Sequence, residues 1–355
     1  MLKMPQSMRR IPYVRMHPMR TFLVTALFVL LSVPARAAGV LDVYFIDVEG
    51  GQATLFVTPS GKSMLVDAGW PGFNGRDAER IATVAKAAGV TRIDDVVVTH
   101  YHRDHVGGVP ELSERLPVGT YVDHGRSVET GKEADELFNA YTRVRDRASH
   151  LIVRAGNRVP LEGIDVRVVA SSGQGIVRPL PGAGEPNSLC ASMKPREVDP
   201  SENAQSIGML VTYGKFRLID LGDLTWNKEL ELACPNNKIG IVDVYLSTHH
   251  GLDQSNAPAI VQALKPRVAI INNGATKGGS PEALQTIRTS PGIEDVWQLH
   301  YAQNAGKENN APESFIVNVD QESSVSWIKL EAQADGQFTV TNSRNGKTKV
   351  YPPRP

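Results

Sequence analysis

The segment VVVTHYHRDHVGG, residues 96–108, places three histidines and an aspartate within six residues, directly after an apolar run. Such a run of β-branched residues predicts a strand that is buried on both faces, as in a parallel sheet. Imidazole and carboxylate groups are the usual protein ligands of Zn²⁺ and of harder first-row metal ions. Because four such donors together have no evident role in packing, the segment predicts a metal site at the end of a strand. The donors are His100, His102, Asp104 and His105.

The first 37 residues differ from the rest of the chain. They hold six basic residues and no acidic one. Five of the six precede the apolar run TFLVTALFVLLSV (21–33), and small residues follow that run up to Ala37. This order predicts a secretory signal peptide over 1–37, cleaved near Ala37, and a secreted or periplasmic protein. An uncleaved N-terminal anchor is the alternative, although the run is shorter than the roughly 20 residues that span a bilayer. No transmembrane span is expected after the signal is removed.

The charge balance bears on the partner. Residues 38–355 retain 32 basic and 38 acidic residues, a formal net charge of −6. Nucleic-acid-binding domains usually carry a basic excess, so the balance disfavours nucleic acid without excluding it. The two cysteines, Cys190 and Cys234, lack the spacing of a metal motif, and in an oxidising compartment they predict a disulfide. Metal ligation and two free thiols are the alternatives.

Strands alternate with helical patterns, which predicts an α/β layered fold. Apolar spacing predicts helices at 77–88, 132–148, 226–233, 258–264 and 281–289. Residues 171–203 are rich in Gly, Pro and Ser, and they predict a structureless loop that is a candidate active-site lid. Alternating residues near the C-terminus, 326–351, predict an edge hairpin.

The segment THYHRDHVGG resembles the HxHxDH signature of the metallo-β-lactamase fold superfamily. Three further positions resemble that family in order: Asp67 in MLVDAG supports the metal-binding loop, Asp223 in LIDLGD bridges two metals, and His249 in LSTHHG is the terminal ligand. The resemblance spans about residues 41–275. It implies a four-layer αββα sandwich over 38–325, with a C-terminal β-hairpin extension over 326–355 packed on the same domain.

The opening YFIDVEGGQATLFVTPSGKSMLVDAG resembles the ComEC-like branch of this superfamily, which is similar to the C-terminal domain of competence proteins. Two departures stand out. Gln52 replaces the aspartate of that branch, and the usual third histidine ligand is missing from the region 202–206, as in ComEC-like sequences. The resemblance to this branch implies phosphodiester chemistry.

The resemblance implies two divalent ions, Zn²⁺ first and Mn²⁺ as the alternative. The first ion would be held by His100, His102 and Asp223, with His124 either replacing the missing histidine or lying outside the site. The second would be held by Asp104, His105, Asp223 and His249. His250 would contact substrate or support a ligand, although the two adjacent histidines could exchange roles. Asp104 and His250 are the catalytic candidates.

Metal-activated water attacking a phosphodiester is therefore the expected reaction, with Asp104 orienting the water and relaying its proton. The expected substrate is a small phosphodiester or an envelope-derived molecule. A carbonyl hydrolase, such as a lactonase or a β-lactamase-like enzyme, is the alternative. A non-catalytic exported binding protein is the alternative of another class. For Lys277, Trp297 and His300, solvation or core packing is expected, with substrate contact as the alternative.

Overall fold

The computed structural model describes residues 39–320 and 325–354. The predicted signal peptide lies outside the described residues. Within the described ranges, no helix is both long enough and apolar enough to cross a membrane.

The strands occupy short segments throughout the chain. In order they are β1 Val40–Ile46, β2 Thr54–Val57, β3 Ser63–Val66, β4 Ile93–Val97, β5 Val118–Asp123, β6 Ser149–Ile152, β7 Arg158–Val159, β8 Asp165–Ser171, β9 Gln174–Gly175, β10 Gly208–Tyr213, β11 Phe216–Asp220, β12 Val244–Leu246, β13 Val268–Ile271, β14 Asp295–His300, β15 Ile316–Asn318, β16 Trp327–Gln333, β17 Phe338–Asn342 and β18 Thr348–Tyr351.

The α-helices are α1 Arg76–Ala87, α2 Arg103–Val106, α3 Val109–Ser113, α4 Lys132–Arg145, α5 Trp226–Ala233, α6 Pro258–Leu264 and α7 Pro281–Arg288. Short 3₁₀ helices lie at Phe73–Gly75, Ser188–Ser192, Glu202–Gln205, Thr248–Gly251, Gln303–Ala305 and Glu313–Phe315. The helices predicted at 226–233 and 258–264 are confirmed to the residue, and the other three are confirmed within three residues at either end.

The strands form two mixed sheets. The first has the order β18-β17-β16-β1-β2-β3-β4-β5-β6, and the second has the order β15-β14-β13-β12-β11-β10-β8-β7 with β9 beside β8. Strands β3 to β6 run parallel in the first sheet, and β11 to β15 run parallel in the second. Parallel neighbours need crossover connections, and these are the helices that cover the outer faces.

Three apolar clusters define four layers. The central cluster joins both sheets, with Phe45 of β1 facing residues such as Met209 of β10 and Trp297 of β14. A second cluster seals the helices α1, α3 and α4 onto the first sheet, and a third seals α5, α6 and α7 onto the second. The predicted αββα sandwich is confirmed. Trp297 is a core residue, as expected, and its indole Nε1 donates to the Tyr351 hydroxyl at 3.0 Å.

The C-terminal strands differ from the predicted edge hairpin. They form a three-stranded antiparallel meander in which β16 pairs with β1 over seven residues, and only β18 is an edge. The alternation of Ile328, Leu330 and Ala332 explains the pairing, because these side chains enter the core between the sheets. The extension is therefore continuous with the first sheet.

The loop at 171–203 is also more ordered than predicted. The predicted disulfide between Cys190 and Cys234 is confirmed, and it ties the loop to the end of α5. Asn187 donates its side-chain amide to the carbonyls of Ala233 and Ala259, at 3.1 and 2.8 Å. These contacts hold the middle of the loop on α5 and α6. The role of the loop as a lid stays a prediction.

Candidate metal centre

The donor cluster lies where four strands of the two sheets end. Strands β3 and β4 of the first sheet lead to Asp67 and His100, and strands β11 and β12 of the second lead to Asp223 and His249. In α/β sheets, ligands bind beyond the carboxyl ends of the strands, because the loops there are free to carry functional side chains. The sandwich thus brings both halves of the predicted site to one edge.

Asp67 fixes the loop that carries the HxHxDH residues. Its carboxylate accepts hydrogen bonds from the Thr99 backbone N–H at 2.8 Å and the Thr99 hydroxyl at 2.6 Å. It also lies 2.7 Å from Nδ1 of His105. The φ of Asp67 is +60°, a region that aspartate tolerates better than most residues. Donation from Nδ1 to Asp67 leaves Nε2 of His105 facing the centre as a ligand.

Four donor atoms form a compact set around one point: Asp104 Oδ2, His105 Nε2, His250 Nε2 and Asp223 Oδ2. The two histidine atoms are 3.1 Å apart, and Asp104 Oδ2 lies 3.3 and 3.1 Å from them. Asp223 Oδ2 lies 3.2 and 3.4 Å from the same two atoms. Ligands about 2.0–2.1 Å from a tetrahedral ion are separated by about 3.3–3.4 Å. The spacing therefore fits a single zinc-sized ion.

The electrostatics of the cluster also favour a cation. Burial by itself would lower the pKa of His105, but the carboxylates of Asp223, Asp104 and Asp67 raise that pKa well above its ordinary value. Burial lowers the pKa of His100 well below its ordinary value, so this imidazole is neutral, the form that binds metal. Buried carboxylates that draw a proton onto an imidazole offer the same negative potential to a divalent ion.

A second group of donors adjoins this set. His100 Nε2 lies 3.1 Å from His102 Nδ1 and 3.9 Å from Asp223 Oδ2, and His249 Nε2 lies 3.4 Å from the same Asp223 oxygen. The other Asp223 oxygen, Oδ1, is buried and has no hydrogen-bond partner among the described residues. With Oδ2 beside four imidazoles and Oδ1 unpaired, the Asp223 carboxylate can serve as a metal ligand.

The adjacent histidines adopt an unusual backbone. His249 and His250 both have φ of +54°, a left-handed conformation that costs an L residue roughly 1–2 kcal/mol. Backbone hydrogen bonds hold it: the His249 N–H donates to the Gly222 carbonyl, and the Gly279 N–H donates to the His250 carbonyl, both at 2.9 Å. The turn directs both rings toward Asp223. Of the two, His250 and not His249 lies in the four-atom set.

His124 is engaged away from these donors. Its Nε2 lies 2.9 Å from Oε2 of Glu202, and both side chains are buried. Glu202 also accepts the backbone N–H groups of Tyr101 and Val128, at 3.2 and 2.6 Å. The pair therefore joins three loops beside the centre. The His124 ring nitrogen contacts Glu202 and no donor of the cluster within the described residues.

Glu129 was not predicted as a neighbour of the centre, whereas Lys277 and Gln52 were named from the sequence without these partners. Glu129 Oε1 lies 2.9 Å from His102 Nε2, so donation from Nε2 leaves Nδ1 of His102 facing His100. The ammonium of Lys277 contacts Asp104 Oδ2, contrary to the expected role in solvation. Gln52, the departure from the ComEC-like pattern, donates to Asp220 at 2.8 Å. Burial raises the pKa of Asp220 to about 6, so an amide suits this position better than a second carboxylate.

His300 stands apart from the centre. Its Nε2 lies 2.7 Å from Asp47 Oδ1 in a buried network that also contains Arg80 and Glu49. Arg80 neutralises both carboxylates, so the network joins the sheets by ion pairs, consistent with the expected packing role of His300.

Comparison with known proteins identifies the domain. Residues 46–187 match the family model described as the metallo-beta-lactamase superfamily. Residues 46–187 therefore carry a metallo-beta-lactamase superfamily domain. The matched range contains the HxHxDH segment and Asp67, and the four-layer sandwich agrees with the match. No curated protein matches the sequence.

Several solved structures resemble this metallo-beta-lactamase domain at low identity. A variant of the CmlA beta-hydroxylase, a diiron enzyme of Streptomyces venezuelae, is 17% identical over 75% of this chain and 53% of its own, with a TM-score of 0.43. The chain thus spans about half the length of that protein. A diphosphatase of the PhnP family is 12% identical over 72% of this chain and 94% of its own, with a TM-score of 0.39.

The contact between Glu129 and His102 gives a test of the candidate metal centre. Glu129→Ala is expected to weaken metal affinity about 10- to 100-fold, because His102 loses the partner that orients its ring. Competition with a chromogenic chelator measures this affinity. Glu136→Ala, an exposed carboxylate on α4, is the matched control and is expected to leave it unchanged. Equal affinities in the two variants would contradict the orienting role of Glu129.

Proposed function

We propose that this protein is an exported metal-dependent hydrolase that holds two divalent ions, Zn²⁺ first, and cleaves phosphodiesters in the manner implied by its ComEC-like resemblance. The observation that carries the proposal is the tetrahedral spacing of Asp104, His105, His250 and Asp223, four buried donors from both sheets. The disulfide between Cys190 and Cys234 supports export, since such bonds persist in oxidising compartments.

The ligand assignment follows the geometry. We assign Asp104, His105 and His250 to one ion, His100 and His102 to the other, and Asp223 to both. His249 completes the second group, because its Nε2 lies 3.4 Å from Asp223 Oδ2. This arrangement exchanges the roles expected for His249 and His250. His249 then takes the place of the missing third histidine, and His124, whose ring contacts Glu202, is not needed as a ligand.

When bound, the ions supply a water of lowered pKa as the nucleophile and polarise the oxygen of the scissile group. The remaining work falls to this chain's own residues. Asp67 and Glu129 orient His105 and His102 by accepting their outward ring protons. Asp104 is the assigned proton acceptor. Burial alone would raise the pKa of Asp104, but His105, His250 and Lys277 hold that pKa well below its usual range, so the carboxylate is ionised at neutral pH.

The volume of the cavity at the centre and the net charge of residues 38–355 favour a small substrate. A cavity of about 530 Å³ reaches the centre and is lined by His102, Asp104 and Glu129, with α4 forming its far wall. Ligand sites of this volume enclose small molecules. The acidic balance of residues 38–355 agrees with a small phosphodiester or an envelope-derived compound and disfavours long nucleic acid.

The proposal is tested with purified residues 38–355, dialysed against Zn²⁺ or Mn²⁺. The bound metal per chain is measured by atomic emission, and hydrolysis is measured on bis-p-nitrophenyl phosphate, a chromogenic lactam and a lactone. We expect near two ions per chain and turnover of the phosphodiester. Turnover of only the lactam or the lactone would replace the proposal with carbonyl hydrolysis. Two ions without turnover of any ester would favour a binding protein, and no bound metal would reject a metal-dependent role.

A further inference from the structure

Lys277 lies beside the centre in the loop between β13 and α7. Its ammonium contacts Asp104 Oδ2, donates to the Gly50 carbonyl at 2.8 Å and lies 5.1 Å from the centre of the Trp70 ring. About a third of the side chain is exposed, 32%, so the ammonium also faces solvent. A cation in this place is accessible to a substrate that approaches Asp104.

The loop that carries Lys277 is fixed against the histidine turn. The Gly274 N–H donates to the Lys277 carbonyl at 2.8 Å, and the Gly279 N–H donates to the His250 carbonyl at 2.9 Å. Gly278 has a φ of +80°, and a Cβ there would lie 2.2 Å from the His250 carbonyl oxygen. Only glycine permits this approach. The position of Lys277 is therefore coupled to that of His250.

We propose that Lys277 determines substrate specificity by holding an anionic oxygen group, phosphate or carboxylate, next to the reacting bond. The inference rests on the proposed function, and it specifies that the same site selects substrates with an anionic oxygen group. Asp104 Oδ2 belongs to the four-atom metal set, so its negative charge is shared with a bound ion. An ammonium has three N–H donors, and the Gly50 carbonyl takes one of them. The other donors are then open to an anion, and charge-assisted hydrogen bonds are strong.

Two other cations, Arg103 and Lys132, line the cavity beside the centre. Arg103 Nη1 lies 3.0 Å from Glu133 Oε1, and Lys132 is an exposed residue at the start of α4. Among the described residues, Asp104 is the one carboxylate that contacts the Lys277 ammonium, and a bound ion would share its charge. When a metal ion is bound to Asp104, Lys277 is thus the cation beside the centre that loses its carboxylate partner.

The experiment uses the zinc-loaded chain and inorganic phosphate as the probe. Isothermal titration calorimetry measures the phosphate Kd of the wild type, Lys277→Met and Lys277→Arg, and atomic emission measures the metal content of each. We expect Lys277→Met to raise the Kd about tenfold or more and Lys277→Arg to restore most of the affinity. Lys62→Met is the matched control, because Lys62 pairs with Asp94 at the opposite end of β3.

Steady-state kinetics give a second readout. Lys277→Met is expected to raise KM for the monoanionic bis-p-nitrophenyl phosphate about tenfold with kcat of the same order, and to leave KM for a neutral p-nitrophenyl phosphotriester unchanged. The kinetic readout requires that the wild type hydrolyse these esters, whereas the calorimetric phosphate titration does not.

An unchanged phosphate Kd in Lys277→Met overturns the inference. A raised Kd that comes with loss of zinc overturns it too, because Lys277 would then act through Asp104 alone. Failure of the proposed function is distinguishable. Phosphate binding that depends on Lys277 in a protein that cleaves no ester would reject the hydrolase and keep the anion site.

Discussion

Asp223→Asn is expected to lower phosphodiester turnover by about 10³-fold and to reduce bound metal to one ion per chain or fewer. Asp223 Oδ2 lies within 3.9 Å of four imidazole nitrogens, those of His100, His105, His249 and His250. An amide keeps the shape but loses the negative charge that joins the two ligand groups. Metal ions contribute several kcal/mol to the stabilisation of a transition state, and each 1.4 kcal/mol is about tenfold in rate.

The control for this variant is a carboxylate of similar burial at the opposite end of the neighbouring strand β12. Asp243 precedes β12, is 4% exposed, and pairs with Arg354 at 3.0 Å. Asp243→Asn is expected to change stability but to leave metal content and turnover near wild type. Full metal content in Asp223→Asn would contradict the bridging role and place both ions on the remaining donors.

Removal of the disulfide has the second largest expected effect. The double variant Cys190→Ala/Cys234→Ala is expected to lower the free energy of unfolding by about 4 kcal/mol. The bond closes a loop with a sequence separation of 44 residues, and the chain-entropy relation gives about this value for a loop of that length. The closed loop, residues 190–234, contains Glu202, Asp223 and α5. Asn187, which precedes this loop, also holds the chain to the carbonyls of Ala233 and Ala259, so the metal ligands are expected to keep their positions without the bond.

The measurement is urea unfolding, followed by intrinsic fluorescence, of the oxidised wild type, the reduced wild type and the double variant. The reduced wild type should unfold at the same lower urea concentration as the double variant, and a reductant should not affect the double variant further. Coincident midpoints for all three samples would show that the crosslink does not stabilise the fold. Turnover of the folded double variant near wild type would confirm that the bond acts on stability.

The sequence by itself determined the features that depend on local pattern. The apolar run at 96–98 predicts a buried strand, which the structure shows as β4, and the donors that follow predict a metal site. Both inferences depend only on neighbouring residues of the sequence. The amphipathic spacing of residues 226–233 and 258–264 predicts α5 and α6 in the same way. Asp67 and Asp223 were reached through motif resemblance, and the sandwich brings them to the HxHxDH loop.

Only the tertiary structure decided the features that depend on distant contacts. Lys277 and Asp104 are separated by 173 residues, and no periodicity relates them. The choice between His249 and His250 depends on two successive left-handed residues, whose cost is met by hydrogen bonds from other loops. The pairing of β16 with β1 likewise joins opposite ends of the chain. Sequence patterns specify which groups carry chemistry, but the directions of adjacent side chains and the partners that orient them are set by packing.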